Sequence, residues 1–139
     1  MKNGAMKIMN NIPQTLNRHP FYGLDIDEYQ KQFRDKIWDD KCNIIFCNAK
    51  AGSGKTLIAT ATAELLVQLK DYNGIVYIAS PTQEQKQGYL AGSIEEKSEP
   101  YFEPFYQALN KLGIKLSTSI RKIINGKEIG YIECLTHTF

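Results

Sequence analysis

Ala49-Lys50-Ala51-Gly52-Ser53-Gly54-Lys55-Thr56 is the stretch whose reading decides the fold. Two glycines one residue apart stand directly ahead of a lysine and a hydroxyl residue, and the flanks carry two different patterns. Before the stretch, Ile44-Ile45-Phe46-Cys47 is a short apolar run with charged residues ahead of it, as in a buried parallel strand. After it, Ile58, Ala61, Leu65 and Leu69 recur at helical spacing within Thr56 to Lys70, ahead of the turn signal Asp71-Tyr72-Asn73-Gly74. The eight residues therefore read as a bend joining a strand to a helix.

Such a bend is suited to holding phosphate. Successive backbone N–H groups can converge on an anion where glycines remove the Cβ clash, and Gly52 and Gly54 supply that freedom. The helix N-terminus adds unsatisfied donors and roughly half a positive charge. Lys55 is placed to reach the β- and γ-phosphates of a nucleotide, and the Thr56 hydroxyl to ligate Mg²⁺. The letters match the Walker A pattern with Ala49 in place of its first glycine, a position farther from the phosphates. The bland alternative, a glycine-rich turn followed by a chance Lys-Thr pair, leaves the strand-to-helix context unexplained. The expected nucleotide-contacting span is Ala49, Lys50, Ala51, Gly52, Ser53, Gly54, Lys55, Thr56 and Leu57. Within it, Lys55 and Thr56 carry the catalytic roles, and Thr56 is the metal ligand.

Other nucleotide readings fail on single letters. A dinucleotide fingerprint needs glycine at position 57, where Leu57 stands. A guanine-reading Asn-Lys-x-Asp element has one near-match, Asn110-Lys111-Leu112-Gly113, and it lacks the aspartate. ATP is the expected ligand.

Working outward, Ile75-Val76-Tyr77-Ile78-Ala79 is β-branched and aromatic, bounded by glycine and proline, and reads as a second strand. With the run at 44–47 and the helix between them, it predicts a βαβ unit. Upstream, Ile26, Tyr29, Phe33 and Ile37 share one helical face, predicting a helix over Asp25 to Trp38 that ends near Asp39. Further along, the sequence predicts a helix over Pro104 to Leu112, a third strand over Tyr131 to Leu135, and a tight turn at Ile124-Asn125-Gly126-Lys127. Residues 1–20 lack periodicity and are expected to form a flexible N-terminal arm, with 21–139 the N-terminal part of one α/β nucleotide-binding domain.

Composition agrees with one ordinary globular domain. The chain has 139 residues, 42% hydrophobic and 23% charged, with a net charge of +2 that is too small to indicate a nucleic-acid coat. Cys42, Cys47 and Cys134 are an odd set without CxxC spacing, which disfavours a disulfide framework and a zinc knuckle and suits a reducing cytoplasm. No run approaches the roughly 18 apolar residues that would span a bilayer, so no membrane partner is expected.

Ala51-Gly52-Ser53-Gly54-Lys55-Thr56, the apolar helix and strand after it, and Ser80-Pro81-Thr82 together resemble both superfamily 1 helicases and PhoH-like ATPases, which share a RecA-like core. The segment Gly88 to Leu109, GYLAGSIEEKSEPYFEPFYQAL, resembles the PhoH-like pattern more closely, through Gly88, Leu90, Gly92, Glu96, Lys97, Pro100, Tyr101, Pro104, Tyr106, Ala108 and Leu109. Gly130 to Leu135 resembles the family's next strand. The resemblance covers Asp27 to Phe139 and departs from the family at Ala49 and at Ser80, where an arginine is usual. It implies a P-loop NTPase (RecA-like) fold, a three-layer α-β-α arrangement with a mainly parallel sheet, here incomplete. It further implies an ATPase using ATP and Mg²⁺, RNA or single-stranded nucleic acid as a partner, and a homo-oligomer, a hexamer by kinship. Some members are linked to RNA metabolism and others to phosphate starvation. The helicase reading, and a module that binds nucleotide without hydrolysing it, remain the alternatives.

Three groups of residues carry two readings each. Gln30 resembles an adenine-reading glutamine but could equally be a solvent-facing helix residue. Glu95, Glu96 and Lys97 fit a solvated face better than a catalytic cluster. Tyr101, Phe102, Phe105 and Tyr106 fit packing of a helix onto a sheet better than stacking on bases. His19 and His137 have no metal-ligand partners in view. Downstream of the loop no apolar strand closes on the acidic residue that P-loop hydrolysis requires. The resemblance expects that strand beyond Phe139, so the 139 residues alone are expected to bind nucleotide without turning it over.

Overall fold

Asp27 and Gln30 begin the first helix by capping one another. The Asp27 carboxylate accepts from the Gln30 N–H at 2.8 Å, and the Gln30 carbonyl Oε1 accepts from the Asp27 N–H at 2.9 Å. This reciprocal pair fixes the start of α1 (Glu28–Trp38), three residues later than the periodicity alone predicts, and Asp39 ends it as expected. The computed structural model describes residues 21–80 and 94–137, with side chains from Pro100 onward in the second stretch. The expected arm at 1–20 lies outside the described residues, as do Pro81, Thr82, Gly88, Leu90, Gly92 and the side chains of Glu95, Glu96 and Lys97. The chain divides into two compact units, Met1–Leu66 and Val67–Phe139.

In the first unit, α1 buries Arg34 and Trp38 while Tyr29 is 80% exposed, so the buried face is rotated from the one the apolar spacing predicts. The reason is local pairing. The Arg34 guanidinium bonds the Asp35 carboxylate at 2.8 Å and lies 5.8 Å over the ring of buried Phe21, so a charged side chain takes an interior place by being paired and stacked. Phe21 is held by a tight turn through Tyr22 and Gly23, closed by the Leu24 N–H on the Phe21 carbonyl at 2.7 Å.

The predicted strand at Ile44–Cys47 does not form. Residues 42–50 take no ladder pairing among the described residues, and Ile44 and Phe46 are 78% and 94% exposed. An apolar run supplies the side chains of a strand, but a parallel strand exists only through hydrogen bonds to neighbours, and none is in register here. The βαβ unit expected across 44–79 is corrected accordingly.

The helix after the loop, α2 (Lys55–Leu69), matches its prediction within one residue at each end. Ile58 and Ala61 are buried as expected, whereas Leu69 is exposed. Thr60 and Thr62 are buried too. Each hydroxyl donates to the carbonyl four residues back, at 2.7 Å, so neither is left unsatisfied.

The second unit is built on parallel strands. β1 (Ile75–Ala79) forms where predicted, and its partner is the C-terminal strand β4 (Ile132–Thr136), paired in register from Ile75↔Ile132 to Ala79↔Thr136. Between them come α3 (Ile94–Lys111), the short α4 (Leu116–Ser119), and the hairpin β2 (Lys122–Ile124) and β3 (Lys127–Ile129). The hairpin turn is Asn125-Gly126, with φ of 52° and 78°, as the Asn-Gly signal predicts.

α3 starts ten residues before the predicted Pro104, because Pro100 and Pro104 both sit inside it. Each proline removes a ladder bond, a change that typically costs ~3 kcal/mol or more within a helix. Both prolines are exposed, so the carbonyl freed at Pro100 lies on the watered side of the helix. The opposite face is the compensation. Phe105, Leu109 and Ile132 form a buried cluster, joined by Ile75, Tyr77, Tyr106, Ile114, Ile120, Tyr131 and Cys134. Phe105 stacks flat on Tyr77 with ring centroids 4.3 Å apart, and Phe102 meets Tyr77 edge-on at 6.4 Å. Phe102, Phe105 and Tyr106 therefore pack on the sheet, the reading favoured over base stacking. Asn110-Lys111-Leu112-Gly113 is the helix's closing turn, with the Ile114 N–H returning to the Leu109 carbonyl at 2.9 Å and Gly113 at φ 78°.

The arrangement is mixed α/β with a parallel sheet. Among the described residues no helix is long and apolar enough to cross a membrane, and no cluster of His, Cys, Asp or Glu could hold a metal.

Candidate functional site

The loop before α2 has the backbone its glycines allow. Gly52 and Gly54 lie at φ 84° and 87°, and Ser53 between them keeps an ordinary negative φ. This alternation of hand turns successive amides toward one side, the geometry of an anion-binding nest. The Ser53 N–H closes a turn on the Lys50 carbonyl at 3.2 Å. The first ladder bond of α2 runs from the Ile58 N–H to the Gly54 carbonyl at 2.9 Å, so the N–H groups of Lys55, Thr56 and Leu57 stand ahead of the ladder.

Two side chains secure the loop. Lys55 Nζ donates to the Ala49 carbonyl at 2.8 Å, which holds the ammonium against the loop. Ala49 contributes through its backbone here, a group the missing glycine would have supplied equally. From α1, Gln30 Nε2 donates to the Ser53 carbonyl at 2.8 Å. Gln30 is thus half-buried against the loop, which removes its reading as a solvent-facing residue. The φ of Gly54 favours glycine there, and a Cβ would lie 2.8 Å from Gln30 Nε2, so a side chain would displace the Gln30 end from Ser53.

The loop, α1 and the extended segment before the loop border an open cleft of about 330 Å³, lined by Asp27, Gln30, Phe33, Cys47, Ser53 and Lys55 among others. Its size lies at the lower end of small-ligand pockets. The residues fit a phosphate chain. A Cβ built on Gly52 would meet nothing within 4 Å, so the concavity is open there. Ser53 Oγ is buried without a hydrogen-bond partner among the described residues. A nucleotide phosphate is held by such donors and an ammonium group, and a Mg²⁺ ion by a hydroxyl such as that of Thr56.

The expected span Ala49 to Leu57 is thus one continuous loop and helix start, with Gln30 beside it. The expected strand ahead of the span is the part that is missing. Asp27 belongs to the site and was not singled out by sequence. The signal was present, since Asp27-x-x-Gln30 is a capping-box spacing that fixes where α1 begins and hence where Gln30 points.

These features define an α/β chain with a glycine-rich, lysine-bearing loop at a helix N-terminus. Residues 26–135 match the PhoH-like protein family, and the chain belongs to that family. It is 38% identical over 82 residues to a PhoH-like protein of Mycobacterium leprae, covering 58% of this chain and 23% of the relative. It is 35% identical over 91 residues to Protein PhoH of Escherichia coli K12, covering 65% of this chain and 25% of the relative. The matched region spans about a quarter of the length of these curated relatives. No solved structure matches the chain significantly.

Proposed function

We propose that this chain binds ATP through the loop Ala49–Leu57 and that, in the complete domain, it serves Mg²⁺-dependent ATP hydrolysis. The observation that carries the reading is the alternating backbone of Gly52, Ser53 and Gly54 at the head of α2, with the Lys55 ammonium held against the same loop. Amide hydrogens ahead of the α2 ladder donate to phosphate oxygens, and the Lys55 ammonium offsets their charge. Bound Mg²⁺ would neutralise and orient the β- and γ-phosphates. Thr56 is the residue of this chain proposed to ligate it.

Beyond its bonds to the Asp27 N–H and the Ser53 carbonyl, the Gln30 carboxamide retains one N–H and one lone pair among the described residues, enough to meet an adenine edge. A three-layer RecA-like arrangement belongs to the same proposal, as do cytoplasmic location, RNA or single-stranded nucleic acid as a partner, and assembly into a homo-oligomer. Family membership is their ground. Polynucleotide titration and light scattering test the last two.

The decisive experiment is calorimetric titration with ATP and with GTP, each with Mg²⁺, for the chain and for Lys55→Ala. The variant is expected to bind ATP about 10- to 100-fold more weakly, the usual effect of losing a charge-assisted contact to phosphate. Unchanged binding in Lys55→Ala would reject the proposal.

A further inference from the structure

We infer that Gln30 is a positioning residue for the phosphate loop, a strap that orients the Ser53–Gly54 peptide and so sets affinity for the triphosphate tail whatever base is attached. This rests on the reading of the loop as a phosphate site.

The carboxamide is held at both ends. Its Oε1 accepts from the Asp27 N–H at 2.9 Å, and the Gln30 backbone is itself fixed by the Asp27 carboxylate at 2.8 Å. The amide plane is therefore set by the start of α1, and its Nε2 reaches the Ser53 carbonyl at 2.8 Å. In a planar trans peptide the C=O and the following N–H point in opposite directions. Drawing the Ser53 oxygen toward α1 accordingly aims the Gly54 N–H away from α1.

The fit is mutual. Nε2 lies 2.8 Å from where a Cβ on residue 54 would stand, so a side chain there would push the strap away from Ser53. The Ser53 N–H, in the preceding Gly52–Ser53 peptide, is meanwhile engaged by the Lys50 carbonyl, so the peptide planes on both sides of Ser53 are each tied by one hydrogen bond. A base-reading glutamine would need only its outward-facing atoms. The geometry of this one commits its inward atoms to the loop.

The test uses the full chain with Gln30→Ala, Gln30→Glu and Lys55→Ala, titrated with ATP, GTP and inorganic tripolyphosphate. Gln30→Glu keeps an oxygen for the Asp27 N–H, so α1 remains capped while the donor to Ser53 is lost. Far-UV circular dichroism should show unchanged helix content in that variant. Both Gln30 variants should weaken all three ligands, Gln30→Ala by about 3- to 10-fold for tripolyphosphate, the scale of one net hydrogen bond, with any adenine contact adding a further loss for ATP alone. Amide 15N relaxation at Gly54 should show greater mobility in both, which a purely capping role would not produce.

A loss confined to ATP would make Gln30 a base reader and overturn the strap, as would unchanged tripolyphosphate binding in Gln30→Ala and Gln30→Glu alongside its loss in Lys55→Ala. Tripolyphosphate binding indifferent to Lys55→Ala would instead remove the phosphate-site reading on which the strap stands.

Discussion

In the Val67–Phe139 unit, Phe105 lies flat on Tyr77 and is sealed by Leu109 and Ile132. In the Met1–Leu66 unit, the loop around Ser53 is held by single hydrogen bonds, from Gln30 to the Ser53 carbonyl and from Lys55 to the Ala49 carbonyl. The sheet region is secured by apolar area that water cannot compete for, and the loop by polar contacts that water or an anion can replace. A phosphate site needs the second kind, since its donors must be exchangeable, whereas a scaffold needs the first. The two regions should therefore respond differently to the same kind of truncation.

The largest effect is expected in the apolar region. Phe105→Ala should cost about 3–5 kcal/mol of stability in denaturant unfolding followed by circular dichroism, because it removes a stacked ring and leaves a cavity. A loss below about 1 kcal/mol would mean that this core is not what holds the second unit. Next comes Lys55→Ala, whose signature is the reverse: ATP binding weakened about 10- to 100-fold with little change in the unfolding midpoint. If its stability fell as far as that of Phe105→Ala, the division between scaffold and site would be wrong.

A smaller effect belongs to Asp27. Removing its cap in Asp27→Ala should destabilise α1 by about 1 kcal/mol, seen as faster hydrogen exchange over residues 28–31, and should loosen the Ser53 contact through Gln30. The smallest concerns Tyr77. Burial, with the Cys134 thiol beside it as the lesser cause, raises its pKa above the ordinary 10.0. The folded state thus holds the phenolic proton more tightly than the unfolded chain. The contribution is fully present below about pH 10 and is lost as pH rises through the folded value. Tyr77→Phe should flatten that alkaline decline in stability, and an unchanged slope would show that Tyr77 does not cause it.

Much of the site was legible because its determinants are local. Glycine, lysine and threonine at fixed spacing dictate a backbone and a charge whatever surrounds them, and Asn125-Gly126 dictates a turn for the same reason. Asp27 and Gln30 were equally local but hidden, since their capping pair is visible only when the helix start is read from polar residues instead of apolar spacing. Two features misled. Pro104 looked like a helix start, yet the exposed side of α3 tolerates both prolines while its other side buries Phe105 and Leu109. Ile44 to Cys47 looked like a buried strand, yet among the described residues no strand pairs with them, and Ile44 and Phe46 are largely exposed.

By itself the sequence determined the glycine-rich loop, the helix that follows it, strand β1, the Asn-Gly turn and membership of the PhoH-like family, all of which rest on residues within a few positions of one another or on matched letters. Only the tertiary structure decided that β1 pairs with β4, that Arg34 and Trp38 rather than Tyr29 face inward from α1, and that Gln30 meets the carbonyl of Ser53. Those outcomes depend on which partner lies within hydrogen-bonding or packing distance, such as Phe21 for Arg34, Ser53 for Gln30 and β4 for β1, and spacing along a sequence carries no such distance.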